Sequence, residues 1–246
     1  MKPLVAAVAV LVALAATSCS EIVQDVPESG DSPEADRPPF SPTQIAQMEA
    51  RAERGDPEAQ VFVGRALLTG VGVPADPVEG VRWLQTAASP TNGEPYAPAL
   101  YLLGFAYEFG MGVPQNYEEM SLLYQQAADQ GYPPGLYNFG RALSDDVFRD
   151  STSERRYEAY RLFSVAAARS TGQLRSNAVR SRDSVQQDCE RARQYVGFYQ
   201  DCGPNWTSLS QMQRDAIELD RTLPRWEGPD FYDFPKTHKL PDSLGQ

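Results

Sequence analysis

Few side chains in this sequence carry reactive chemistry, and most of those lie near its ends. Cys19, Cys189 and Cys202 are its thiols, His238 its single imidazole, and Lys2, Lys236 and Lys239 its only lysines beside nineteen arginines. One imidazole cannot assemble a His-based triad or a histidine-rich metal site. The span between residues 3 and 235 has no lysine to act as a nucleophile, Schiff base or phosphate ligand. No Ser-x-x-Lys occurs, and Lys236-Thr237-His238 only loosely follows Lys-Thr-Gly. Carboxylates are plentiful but none forms a recognisable pair. Gly110 and Gly112 could open a phosphate-cradling loop. That reading requires a third glycine, a preceding strand and a following helix. Here the third glycine is missing, the preceding segment reads as helical, and Pro114 follows almost at once. The sequence therefore predicts no catalytic residues, no cofactor, no metal and no small-molecule substrate.

The bulk numbers narrow the class further. A formal net charge of −11 over 246 residues argues against a general nucleic-acid binder, because that affinity rests on neutralising phosphates with Lys and Arg. At the N-terminus one lysine precedes a thirteen-residue apolar run, Leu4 to Ala16, and then Thr17-Ser18-Cys19. Thirteen helical residues rise only about 20 Å against a hydrocarbon core of about 30 Å. Residues 1–18 thus read as a secretory signal peptide. Ala16-Thr17-Ser18-Cys19 also resembles a bacterial lipobox, although such motifs usually carry Leu where Ala16 stands. The resemblance implies a lipid-anchored mature chain beginning at Cys19; the alternative is ordinary cleavage after Ser18 and a soluble periplasmic protein. Ser20 resembles the following residue of lipoproteins sorted to the outer membrane. Removing Cys19 leaves Cys189 and Cys202 as an even pair in an oxidising compartment, which favours a disulfide over a zinc site. Residues 19–41 hold Pro27, Pro33, Pro38 and Pro39 among acids, and read as a disordered tether.

The elements that must position any surface are repeats. Shifted by 40 residues, Ala59, Gly64, Ala66, Gly70, Gly72, Val73 and Pro74 recur as Ala99, Gly104, Ala106, Gly110, Gly112, Val113 and Pro114. Glu79, Gln85, Ala87 and Ala88 recur as Glu119, Gln125, Ala127 and Ala128. A period in this range marks a solenoid of helix pairs. Asp56-Pro57-Glu58 supplies an N-cap, a proline at the first helical position and an acid on the helix dipole. Gly64 and Gly104 lie inside helices, where glycine costs about 1 kcal/mol against alanine; a cost repeated at one phase predicts a close helix crossing. The Gly-x-Gly-Val-Pro segment is then a turn, with glycine supplying positive φ and proline preventing the first helix from continuing. A third, degenerate unit runs from Gly140-Arg141-Ala142 to Ala166-Ala167, with a loop from Ser144 to Glu154 three residues longer and without glycine.

The turn, the in-helix glycine and the closing Ala-Ala resemble Sel1-like repeats, a branch of the tetratricopeptide-type family, over about residues 57–170. The resemblance implies an all-α superhelical solenoid, spanning 42–222 and closed by a C-terminal helical cap. Residues 178–183 and 209–219 resemble the two halves of that cap, separated here by an insertion, Gln186 to Thr207, that holds both remaining cysteines. Their pairing would close a fourteen-residue loop and stabilise by about 3 kcal/mol on the chain-entropy account. The tail, 223–246, carries Trp226, Phe231, Tyr232 and Phe234 among prolines, and reads as a strap over the last hydrophobic face or as a partner-binding peptide. Residues 141–193 hold eleven arginines against eight acids; Arg175, Arg180 and Arg182, with Trp226, Phe231 and Tyr232, are the candidate partner-binding residues.

Some Sel1-like proteins are linked to β-lactam binding or hydrolysis. The expectation is nonetheless a non-enzymatic scaffold or adaptor in the cell envelope, with protein partners and a membrane anchor at Cys19. The alternatives are a cell-wall or polysaccharide-binding module and a β-lactam-binding enzyme.

Overall fold

A computed structural model of the chain describes residues 40–89, 93–144, 153–194 and 209–229. Among the described residues every regular element is an α-helix: α1 (Pro42–Glu53), α2 (Pro57–Thr69), α3 (Pro77–Ala88), α4 (Ala97–Phe109), α5 (Tyr117–Asp129), α6 (Pro133–Ser144), α7 (Ser153–Arg169), α8 (Gly172–Gln194) and α9 (Leu209–Thr222). The architecture is the all-α superhelical repeat that the forty-residue period implies. Residues 1–39, with the leader, Cys19 and nearly all of the tether, lie outside the described residues. So do the 145–152 part of the third unit's loop, and residues 195–208 with Cys202.

Helix starts follow the local sequence. Ser41 and Gln44 form a reciprocal capping box on α1. Asp56 accepts from the backbone N–H groups of Glu58 and Ala59 at the head of α2. Asp76 caps α3 through Glu79, and Asn116 caps α5 through Glu118 and Glu119. Each cap satisfies backbone donors that the first helical turn leaves open. The helix ends are the turn glycines. Gly70 and Gly110 adopt left-handed φ of 72° and 67° and stop α2 and α4, a conformation that disfavours any residue with a Cβ.

The in-helix glycines mark the crossings within each hairpin. A Cβ placed on Gly64 would lie 2.9 Å from the carbonyl oxygen of Gly80 and 2.9 Å from Leu84 Cγ. On Gly104 it would meet the Tyr124 ring at 2.7 Å, and on Gly140 the Phe163 ring at 2.8 Å. Leu84, Tyr124 and Phe163 are fully buried large side chains, so each unit fits one large residue of its second helix against the glycine of its first. This is the close approach that the repeated glycine predicts. The buried pair Ala127–Ala128 does the same job between units, because a Cβ on Gly135 of α6 would meet Ala127 at 2.7 Å.

The stack is curved. Successive first helices touch one another, α2 with α4, α4 with α6 and α6 with α8. The second helices α3, α5 and α7 have no comparable contact among themselves. In a bent stack the layer whose members approach each other is the inner one, so the first helices form the inner layer. At the C-terminal end, α8 runs unbroken from Gly172 to Gln194. The first nine residues of the expected insertion, 186–194, thus extend a helix. No glycine or proline occurs between Gly172 and Gly197, and Val185 and Cys189, four residues apart, bury together beside Tyr160, Phe163 and Met212. Helix α9 rests on α7, with Met212 and Ala216 buried beneath it.

Candidate interaction surface

Where α4 and α6 meet on the inner layer, the sequence places a carboxylate against a guanidinium. Arg141 of α6 donates to Glu108 of α4 at 3.2 Å and to Asn138 Oδ1 at 3.0 Å. Tyr124 reaches through from α5 and donates its hydroxyl to Glu108 at 2.7 Å. Its phenol pKa is pushed well above the ordinary value, first by burial and then by the Glu108 charge. Glu108 therefore has both oxygens occupied by donors from two other helices. Arg141 retains more than a third of its side-chain surface, whereas Glu108 retains 13%. The pair positions the guanidinium at the surface; with the arginine part-exposed, its contribution is that of a half-screened ion pair.

Around this pair the surface is unusually apolar. A hollow of about 190 Å³ is bounded by Glu108, Phe109, Tyr117, Met120, Tyr124 and Arg141. Phe109 is 57% exposed and Tyr117 41%. Gln115 bridges them to the backbone, donating to the Glu108 carbonyl and to the Tyr117 hydroxyl, and Phe109 stacks against Phe105 at 4.6 Å. These rings are ordered by contacts on one side and open on the other. Arg141 also borders a second hollow of about 350 Å³, which α7 and α8 line with Arg156, Ser181, Ser184 and Asp188. The two hollows share Arg141, so they join as one inner strip, centred on α4, α6 and α8 but edged by Tyr117 of α5 and Arg156 of α7, that is aromatic at one end and polar at the other.

None of Glu108, Phe109, Arg141 or Tyr117 stood out in the sequence. Their signal is departure from the repeat: Glu108 and Phe109 occupy the places of Leu68 and Thr69 one period earlier. Positions that recur carry packing, whereas the positions that change are free to carry recognition.

The structure separates the residues that sequence reasoning grouped. Arg175, Arg180 and Arg182 all lie on α8, with Arg175 and Arg180 exposed. At about 100° per residue, Arg180 projects well away from the side shared by Arg175 and Arg182. Arg182 is half-buried and paired with Asp183 at 2.7 Å. The three do not form one patch. Trp226 does not lie on the last face of the solenoid. It packs between Tyr96 at the head of α4 and Tyr132 at the head of α6, with ring centroids 5.6 and 5.2 Å apart. The reason is Arg169, whose side chain is only 4% exposed. It pairs with Asp220 at 2.6 Å and donates to the carbonyls of Asp220, Leu223 and Pro224. That clamp turns the chain after α9 back over Gly131, whose missing side chain leaves room for the Pro224 carbonyl. Phe231 and Tyr232 lie outside the described residues. Among the described residues no group of three or more His, Cys, Asp or Glu side chains is placed to hold a metal ion, and no helix is long and apolar enough to cross a membrane.

With the glycine-crossed hairpins in view, the chain can be set beside known proteins. Residues 57–89 and 97–132 match the Sel1 repeat family. The two matched segments coincide with the first two glycine-crossed hairpins, α2–α3 and α4–α5. A crystal structure of c5321, a protective antigen of uropathogenic Escherichia coli with an SLR fold, is similar at 20% identity and a TM-score of 0.51 over 72% of this chain. The chain spans about a third, 32%, of that antigen's length. A Sel1 repeat protein from Oxalobacter formigenes is 27% identical, with a TM-score of 0.43, over 55% of this chain and 96% of its own. No curated protein sequence matches. Sel1 repeats are generally protein-interaction modules.

Proposed function

We propose that this protein is a non-enzymatic interaction scaffold that receives a partner protein on the inner strip centred on Arg141. The observation that carries the reading is Phe109 and Tyr117, two ordered aromatics left open beside a positioned guanidinium. Aromatic residues and arginine dominate the binding energy of protein interfaces, because they bury large area at low entropic cost. Phe109 and Tyr117 supply area, and Arg141 supplies direction.

The cell envelope is the proposed setting. The N-terminal apolar run and Ala16-Thr17-Ser18-Cys19 support export with a lipid anchor facing the periplasm. Replacing Cys19 by Ala should then release the protein from the membrane fraction. The Cys189–Cys202 staple belongs to the same proposal, supported by the burial of Cys189 and by the oxidising compartment that export implies. A glycan-binding patch of Arg175, Arg180 and Arg182 has less support, since those side chains diverge around α8.

The test is comparative enrichment from extracts of the producing cell, using the purified chain, a Phe109→Asp/Tyr117→Asp variant and a Val78→Asp/Leu122→Asp control as baits. Val78 and Leu122 are also exposed apolar residues, but lie outside the strip. A protein enriched by wild type and control and lost from the first variant supports the proposal. Equal enrichment by all three baits refutes the strip.

A further inference from the structure

Helix α6 has a second open side. Tyr137, Arg141 and Ser144 face the inner strip, whereas Leu136, Phe139 and Leu143 recur at the spacing of the opposite helical face. They floor an open hollow of about 810 Å³ bordered by α5, α6, α7 and α9. Leu162 of α7 completes the floor, and Leu219 and Leu223 form the far wall. That wall is fixed by the Arg169 clamp, because Arg169 holds Asp220 and the Leu223 carbonyl. The size lies within the range of about 300–1,000 Å³ over which proteins bury ligands.

The mouth of this hollow is charged in one sense. Asp129, Glu154 and Glu158 stand around it with Arg155, and Glu158 is already paired with Arg161 at 2.7 Å, which leaves Asp129 and Glu154 as the acids facing an incoming ligand. Asp129 is exposed at the rim, and the protein on its inner side desolvates it enough to raise its carboxyl pKa above the ordinary value. An incoming cation would relieve that. An apolar floor and an acidic rim complement an amphipathic helix with leucine or phenylalanine on one face and lysine or arginine flanking it. An acidic helix would meet like charge at Asp129 and Glu154, and a wholly polar cationic segment would leave the part-exposed Phe139, Leu143, Leu219 and Leu223 uncovered.

We propose that this hollow is a second docking groove, distinct from the inner strip, and that its occupant is a basic amphipathic helix of a partner protein. Two grooves on opposite sides of α6 would let the scaffold hold two partners at once.

The test uses the full chain and three fluorescent peptides of about five helical turns: an amphipathic Leu/Lys helix, its Leu/Glu counterpart, and a Leu/Lys scramble of identical composition without an apolar face. Anisotropy titrations would compare wild type with Asp129→Lys/Glu154→Lys, which reverses two exposed rim charges. A Glu49→Lys/Glu53→Lys control makes the same net change on exposed positions of α1. Circular dichroism melts would check that both variants fold. The expected result is that only the Leu/Lys helix binds, that the rim variant weakens it by roughly tenfold or more, and that the control stays within about twofold. Phe109→Asp/Tyr117→Asp should leave this affinity unchanged, which separates failure of the groove from failure of the inner strip. Absence of binding, equal binding of the scramble or the acidic helix, or equal loss in rim variant and control would each overturn the proposal. So would a concentration-dependent dimer of the chain that the rim variant abolishes, because the occupant would then be a second copy.

Discussion

Replacing Gly64 and Gly104, two of the in-helix glycines, by alanine tests how the hairpins cross, and the sign of the effect is the informative part. If Gly64 and Gly104 were ordinary helix residues, alanine would stabilise each helix by about 1 kcal/mol. The structure predicts the reverse. At Gly104 the new methyl carbon would sit 2.7 Å from two carbons of the Tyr124 ring, well inside the favourable separation of about 3.5–4.0 Å. The ring is 1% exposed, and its hydroxyl is bonded to Glu108, which is itself paired with Arg141. It cannot move about 1 Å without stretching that network. Overpacking of this kind costs about 1–3 kcal/mol, leaving a net loss of about 0–2 kcal/mol after the propensity gain. At Gly64 one obstacle is the backbone carbonyl of Gly80 at 2.9 Å. Relief there needs a shift of α3 as a whole, so the net loss should reach about 2 kcal/mol. With a urea slope of about 1–3 kcal/mol per molar, Gly64→Ala should lower the unfolding midpoint by roughly 1 M. Ala46→Gly, on an exposed position of α1, calibrates propensity alone and should cost about 1 kcal/mol. If Gly64→Ala and Gly104→Ala both raise the midpoint, the hairpins do not cross at these glycines and the reasoning fails.

Three further outcomes follow from the polar contacts. Arg169→Ala should cost about 3 kcal/mol in chemical denaturation, because it leaves three carbonyls without their donor and Asp220 with only the exposed Arg225 as partner; Arg169→Lys should recover less than half of that, since an ammonium cannot fork between them. Asp215 is held below its ordinary carboxylate pKa mainly by the hydrogen bond from Tyr157. That contribution to stability is present at neutral pH and lost as pH falls through the depressed value, so Tyr157→Phe should destabilise at pH 7 and converge with wild type in strong acid. Burial, and after it the same bond, raise the Tyr157 phenol to about 12, which predicts a second loss of the wild-type advantage as pH climbs from about 10 towards 12. The Tyr96 hydroxyl is buried without a hydrogen-bond partner among the described residues, so Tyr96→Phe should stabilise by about 1 kcal/mol, read from the same titrations.

The repeat, its turns and its crossings were legible in the sequence because they arise from local constraints that recur. Gly70 and Gly110 must turn, Gly64 and Gly104 must admit a neighbour, and both demands leave a glycine at the same phase. The inner strip was less legible because it depends on what does not recur. Glu108 replaces a buried leucine of the previous unit and gains meaning only when Arg141, 33 residues later, is folded against it. The course of the chain after α9 was hidden for a related reason. Arg169 meets Asp220 across 51 residues, and no pattern of local spacing marks it among nineteen arginines. A cluster of arginines in sequence likewise proved to be a helix with its charges pointing in different directions. Helix phase decides that, and counting does not.

Site-specific photo-crosslinking in the producing cell addresses the central claim most directly. A photoreactive residue would be placed in turn at Phe109, Tyr117, Val78 and Leu122, all exposed. The account predicts a crosslinked protein of one discrete mass from Phe109 and Tyr117, absent from Val78 and Leu122. The same adducts from all four positions, or none from Phe109 and Tyr117, would contradict it.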